Sequence, residues 1–110
     1  MSRLQQVKTI SIQEVTKLLD ENANICLFDM RTEDEYIAAH IPGAVHLTAE
    51  NFHEEAEHFD ENTMIIFYCY RGNASKVQAL DLMAQGVENV YSMDGGITAW
   101  AKEGYQLVTG

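Results

Sequence analysis

Short apolar runs alternate with longer amphipathic stretches along the chain. The apolar runs that predict buried strands are residues 25–28, 45–47, 64–68 and 89–92. The stretches that predict helices are residues 12–19, a short segment after residue 32, residues 49–58, residues 75–85 and the segment after the glycines at 95 and 96. Strands that alternate with helices favour right-handed crossovers and a mainly parallel sheet with helices on both faces. The predicted fold class is therefore α/β.

Capping signals predict where these helices begin and end. The segments 11–14 and 32–35 each have the Ser/Thr-x-x-Glu spacing of a capping box, in which two side chains satisfy free N–H groups at a helix start. Gly86 fits the position just after the end of the helix over 75–85. The residues that we expect this helix to bury are Val77, Leu80 and either Leu82 or Met83.

Length and charge exclude several classes of function. The 110 residues are enough for one compact domain, and 17 acidic against seven basic residues give a net charge of −10. This charge argues against binding to nucleic acid or to an anionic membrane surface, because both require basic residues. The longest apolar run, residues 64–70, is too short to span a bilayer, and the first six residues lack the apolar segment of a secretory signal. We predict a single cytoplasmic domain over residues 1–110.

The two cysteines have different settings. Cys26 lies within the apolar run that forms a predicted strand, and there it is expected to act as a small core residue. Cys69 directly follows the strand over 64–68, at the edge of the sheet where reactive groups of α/β proteins gather. In a cytosolic chain both thiols should be reduced, so we expect no disulfide.

The segment after Cys69 favours a reactive thiolate. Five residues separate Cys69 from Ser75, the predicted helix start, and Gly72 and Asn73 are residue types that tolerate the left-handed backbone of a tight curl. Inward N–H groups of such a curl form an anion-binding nest, and the helix N-terminus adds partial positive charge. Arg71, with Lys76 beyond it, adds cationic charge. Together these features should lower the pKa of Cys69 and make it a nucleophile.

Three motifs in order resemble those of the rhodanese family, over about residues 8 to 105. The segment 69–74, Cys-Tyr-Arg-Gly-Asn-Ala, resembles the active-site loop of its single-domain thiosulfate sulfurtransferases. The segment 29–44, with Asp-Met-Arg, Glu-Tyr and His-Ile-Pro-Gly-Ala, is similar to the N-terminal signature of the family. The segment 94–100, Asp-Gly-Gly-Ile followed by Trp100, is similar to the C-terminal signature. The resemblance implies a rhodanese-like fold with a five-stranded sheet.

The resemblance also implies a chemistry. Cys69 would take the sulfane sulfur of a donor such as thiosulfate, hold it as a persulfide and pass it to cyanide, a small thiol or a thioredoxin-like protein, without metal or organic cofactor. The residues implied in substrate binding are Tyr70, Arg71, Gly72, Asn73, Ala74 and Ser75. Ala74 departs from relatives that carry Ser or Thr there, and the hydroxyl of Ser75 is the candidate to replace the missing donor.

Other polar residues receive structural roles. The family pattern implies that Arg31 pairs with Glu35 and ties the strand ending at Asp29 to the following helix. His40 lies in a turn and is expected to form a hydrogen bond with the backbone. The histidines at 46, 53 and 58 lack the spacing of an established zinc site, so no metal ligands are predicted.

Two alternatives to sulfur transfer are kept. The first is phosphatase or arsenate reductase activity, which requires a Cys-x5-Arg loop whose arginine grips the oxyanion. Counting that spacing from Cys69 reaches Ser75 instead of an arginine, which disfavours this alternative. The second is a catalytically idle rhodanese-like module for protein binding or sulfur relay, which the substitution at Ala74 leaves open.

Overall fold

The computed structural model describes residues 7–110, which form five strands and five helices. The first six residues, for which the sequence predicts no secretory signal, lie outside the described residues. The strands are β1 (Thr9–Ile10), β2 (Ile25–Asp29), β3 (Val45–His46), β4 (Met64–Tyr68) and β5 (Val90–Met93). The helices are α1 (Ile12–Asp20), α2 (Glu33–Ala38), α3 (Ala49–Ala56), α4 (Asn73–Ala84) and α5 (Gly96–Lys102). Within residues 7–110 no helix combines the length and the apolar character needed to cross a membrane.

The five strands form one sheet in the order β1-β5-β4-β2-β3, and every neighbouring pair is parallel. The predicted α/β class and five-stranded parallel sheet are therefore confirmed. The sequence pattern missed β1, because a strand of two residues is too short to show a hydrophobic period. β4 lies at the centre of the sheet, between β5 and β2, so its carboxyl end is flanked by strands on both sides.

Two apolar clusters cover the two faces of the sheet, because successive side chains of a strand point to opposite faces. One cluster packs between the sheet and the helices α1 and α5. It contains Leu27 and Ile66 of the sheet together with Val15 and Trp100 of the helices. The other cluster contains residues of α4 and the alternate strand positions: Cys26, Phe28, Ile65, Phe67, Ala79, Leu82 and Val90. The prediction that Cys26 is a core residue is confirmed.

The position of α4 differs from the prediction in two ways. The helix begins at Asn73, two residues before Ser75, because Gly72 adopts a left-handed backbone (φ 96°) and forms the N-cap. This start turns Ser75, Ala79 and Leu82 toward the sheet, at helical spacing. The expectation that Val77 is buried is therefore wrong, and its side chain is 61% exposed.

Candidate active site

The structure places Cys69 directly after β4, as the first residue of a four-residue connection to α4. Gly72 makes this short connection possible. Its φ of 96° is strained for any residue with a side chain, and an added Cβ would lie 3.2 Å from the backbone nitrogen of Gly95. Asn73 is already part of the helix, so the left-handed backbone expected for it is found at Gly72 alone in the segment from Cys69 to Asn73.

Backbone amides of this connection point at the sulfur of Cys69. The amide nitrogen of Gly72 lies 3.2 Å from Sγ and that of Ser75 lies 3.4 Å away. The Ser75 hydroxyl oxygen lies 3.5 Å from the same sulfur. Burial by itself would raise the pKa of the Cys69 thiol, but these hydrogen bonds and one from the Arg71 amide lower it below its usual value. The arrangement favours a thiolate.

The sequence suggested that cationic side chains help to lower the pKa of Cys69, but they are not among the causes of the shift. Burial raises the pKa of Cys69 and hydrogen bonds from neutral groups lower it, and no charged side chain of residues 7–110 is among these causes. The Arg71 side chain is exposed on the rim of the loop, and Lys76 is only half-buried on α4. The Arg71 side chain is therefore open to solvent, and neutral hydrogen-bond donors account for the lowered pKa of Cys69.

The thiol lies on the floor of the loop, below an exposed rim. Cys69 is 7% exposed, which is less than the sequence suggested for a nucleophile at the mouth of a sheet. The reason is that the curl which aims its amides at Sγ also folds around it. The rim residues are Tyr70, Arg71, Asn73 and Ala74, all exposed. Such a floor admits a slender reagent more readily than a bulky one.

The N-terminus of α5 holds the loop from the other side. The amide of Ile97 donates to the Cys69 carbonyl at 2.9 Å, and the amide of Thr98 donates to the Tyr70 carbonyl at 3.0 Å. Gly96 lies against the same backbone, and a Cβ on it would collide with the Tyr70 carbonyl oxygen. The glycine pair before α5 therefore has a physical role, because it lets the helix end approach close enough to fix the loop.

The predicted pairing of Arg31 with Glu35 is wrong. The Arg31 guanidinium instead forms an ion pair with Asp29, with Nη2 and Oδ2 2.8 Å apart. The backbone amide of Arg31 also donates to the same carboxylate at 2.9 Å, so a tight turn brings the two side chains together. Glu35 is engaged elsewhere, since it completes the capping box of α2 with Thr32.

The Asp29–Arg31 pair is linked to both neighbours of Cys69. The buried Tyr68 hydroxyl donates to Asp29 Oδ2 at 2.6 Å, and the Arg31 guanidinium lies 5.7 Å from the centre of the Tyr70 ring. Burial, together with the hydrogen bond to Asp29, raises the pKa of Tyr68. Burial alone would lower the pKa of Arg31, but its contacts with Asp29 raise it, so Arg31 keeps its charge.

The histidines are held away from the sulfur by other partners. His40 Nδ1 lies 2.8 Å from the Tyr36 carbonyl, so the expected backbone contact is present, and its ring stacks on the Tyr36 ring. His46 Nε2 lies 2.7 Å from the Arg31 carbonyl, and His53 is exposed. Residues 7–110 contain no group of three or more His, Cys, Asp or Glu side chains arranged to hold a metal ion.

Sequence reasoning missed two polar residues of the site. The sequence pattern assigns Tyr68 only to one apolar strand and Ser92 only to another. Ser92 of β5 is fully buried, and its hydroxyl lies 2.7 Å from that of Ser75. The available signal was a serine inside an otherwise apolar strand, which requires a buried hydrogen-bond partner.

Comparison with models of known protein families gives a match that covers most of the chain. The family model described as Rhodanese-like domain matches residues 11–103. The chain belongs to the rhodanese family. The resemblance that the three sequence motifs indicated is confirmed.

Relatives of this rhodanese include a curated enzyme and solved structures. The chain is 37% identical over 97 residues to thiosulfate sulfurtransferase GlpE of Tolumonas auensis, covering 88% of this chain and 91% of that protein. It also matches a thiosulfate sulfurtransferase structure from Pseudomonas aeruginosa (TM-score 0.85, 27% identity), covering 96% of this chain and 21% of that one. The first relationship supports the predicted enzyme class, thiosulfate sulfurtransferase.

A further structural neighbour is described as a possible phosphatase, but it shares only the fold with this chain. A Rhodopseudomonas palustris protein described as a possible tyrosine phosphatase has a TM-score of 0.81 at 21% identity, covering 96% of this chain and 88% of that one. At that identity the similarity shows a shared fold only. In this rhodanese the sixth residue after the cysteine is Ser75, which is buried beside the sulfur, so the Cys-x5-Arg arrangement is not met.

Proposed function

We propose that this rhodanese is a thiosulfate sulfurtransferase in which Cys69 carries sulfur as a persulfide. The observation that carries the proposal is the set of amides and the hydroxyl directed at Sγ, which lower the pKa of the thiol. A thiolate is the form of cysteine that attacks sulfur. The curated GlpE relative, at 37% identity over most of the chain, supports the same reaction.

The reaction is a double displacement with a covalent intermediate. The Cys69 thiolate attacks the outer sulfur of thiosulfate, a new S–S bond forms, and the old S–S bond breaks with its electron pair leaving on sulfite. The enzyme then holds a terminal persulfide anion. An acceptor nucleophile, either cyanide or a thiolate, attacks that outer sulfur and releases the Cys69 thiolate. Neither step requires a metal or organic cofactor.

The loop residues have distinct roles in this proposal. The amides of Arg71, Gly72 and Ser75 stabilise negative charge on the sulfur, and the rim of Tyr70, Asn73 and Ala74 surrounds the entering donor. The exposed Arg71 guanidinium attracts the doubly charged thiosulfate toward a protein whose net charge is −10. Asp29, Arg31, Glu35 and His40 are proposed to act structurally. Asp29 and Arg31 pair with each other, Glu35 completes the capping box of α2, and His40 contacts the Tyr36 carbonyl.

The acceptor and the setting are further parts of the proposal. A buried sulfur below an exposed rim suits small acceptors such as cyanide or a low-molecular-weight thiol, and also the extended loop of a thioredoxin-like protein. Both cysteines are free, which fits the reducing environment of the cytoplasm.

Mass spectrometry of the intact protein after thiosulfate treatment tests the proposal. We expect a gain of one sulfur atom on the wild type and on Cys26→Ser, and no gain on Cys69→Ser. Cys26 is the matched control because burial and Glu55 raise its pKa to about 12, which keeps it a neutral thiol. A folded wild type that gains no sulfur and releases no thiocyanate with cyanide would support the idle module instead.

A further inference from the structure

A second buried hydroxyl lies behind the one that contacts the Cys69 sulfur. Ser75 Oγ is 3.5 Å from Cys69 Sγ and 2.7 Å from Ser92 Oγ. Ser75 and Ser92 are both fully buried. Ser92 belongs to β5 and pairs in register with Phe67 of β4, which is why it lies behind the loop that follows β4. The three side chains therefore form a chain of contacts from β5 to the sulfur.

The number of hydroxyl hydrogens determines which residue donates and which accepts in this chain of contacts. Each hydroxyl has one hydrogen to donate, and among residues 7–110 the Ser92 hydroxyl has Ser75 as its hydrogen-bond partner and no other. If Ser75 donated to Ser92, the Ser92 hydrogen would be buried without an acceptor, which is costly. The reverse arrangement satisfies both groups, because Ser92 donates to Ser75 and the Ser75 hydrogen then points at the sulfur.

We propose that Ser92 is a positioning residue, whose hydroxyl directs the Ser75 hydrogen onto the sulfur of Cys69. The inference rests on the sulfurtransferase function proposed above and names a residue outside the loop that serves it. Donation by Ser92 also polarises the Ser75 hydroxyl and makes it a stronger donor to a thiolate. This arrangement compensates for Ala74, which has no hydroxyl to offer.

The test compares Ser92→Ala, Ser75→Ala and the double variant, each in a Cys26→Ser background. The readout is the pH dependence of Cys69 alkylation by iodoacetamide. We expect Ser75→Ala to move the midpoint to higher pH and to slow alkylation below the midpoint by roughly two- to tenfold, the effect of one neutral hydrogen bond. Ser92→Ala should move the midpoint in the same direction by a smaller amount. The double variant should match Ser75→Ala.

Controls separate positioning from packing. Above the midpoint, where Cys69 is fully ionised, no variant should be alkylated more slowly than the wild type, because a thiolate of higher pKa is the stronger nucleophile. Ser92→Thr, which keeps a hydroxyl on the same carbon, should retain the wild-type midpoint. The proposal is overturned if Ser92→Ala leaves the midpoint unchanged, if it still shifts the midpoint when Ser75 is already alanine, or if Ser92→Thr behaves like alanine.

This experiment is independent of sulfur transfer. Alkylation requires a thiolate and no sulfur donor, so a failure of the Ser92 proposal would appear as an unshifted midpoint in a protein that still forms a persulfide. A failure of the proposed function would appear as the absence of persulfide, whatever the alkylation midpoints of the serine variants.

Discussion

The Asp29→Asn substitution removes one charge from a buried ion pair and keeps the size of the side chain. Asp29 is fully buried and the Arg31 side chain is 7% exposed, so water cannot solvate the guanidinium that is left unpaired. Asp29 also accepts hydrogen bonds from the Arg31 amide and from the Tyr68 hydroxyl. The variant therefore leaves a buried guanidinium whose charge has lost its partner.

The expected cost is large for a protein of this size. Removing one partner of a buried ion pair costs about 3–5 kcal/mol, because the remaining charge stays desolvated. The total free energy of unfolding of a small domain is about 5–15 kcal/mol. With a denaturant slope of about 1–3 kcal/mol per molar urea, the unfolding midpoint should fall by roughly 2 M. Urea titration followed by circular dichroism measures this shift.

Glu35→Gln is the matched control. It makes the same chemical change on the residue that the family pattern assigned to Arg31. Glutamine can still complete the capping box with Thr32, so we expect a change within about 0.5 kcal/mol. The reasoning is refuted if Asp29→Asn costs less than about 1 kcal/mol, or if the two variants are equally destabilised.

Two further predictions concern the loop itself. Gly72→Ala should lose about 1–2 kcal/mol of stability and most of its sulfur transfer, because its left-handed backbone is strained and its Cβ would lie 3.2 Å from Gly95 N. Gly86 also has a positive φ, but a Cβ added to it would meet no atom within 4 Å, so Gly86→Ala should lose similar stability and keep its activity. An equal loss of activity in both variants, assayed where both are folded, would contradict this account. Arg71→Ala should lower kcat/KM for thiosulfate several-fold at low salt and much less at high salt, while the pKa of Cys69 stays unchanged. A raised thiol pKa in that variant would show that the guanidinium, and not only the amides, ionises the sulfur.

Sequence alone predicted the features that local signals determine. The capping box at Thr32 is present in the structure as a pair of side-chain to backbone contacts, and β4 has the bounds that its apolar run indicated. The tight turn after Cys69 follows from the properties of Gly72, whose φ of 96° is the conformation for which glycine is suited.

Tertiary contacts account for what the sequence could not predict. Glu35 was available to Arg31 by spacing, but the capping box engaged it and the turn after β2 brought Asp29 closer. The contact of Ser92 with Ser75 depends on the register of β4 and β5, which no local pattern records. The short strand β1 exists only because β5 provides a parallel partner for it.

The most direct test of the central claim is a pH titration of the Cys69 thiolate by its ultraviolet absorbance, in the Cys26→Ser variant. The account predicts a pKa below the free-cysteine value of about 8.5, because neutral hydrogen-bond donors stabilise the ionised sulfur more than burial destabilises it. A pKa at or above that value in the folded variant would contradict the account.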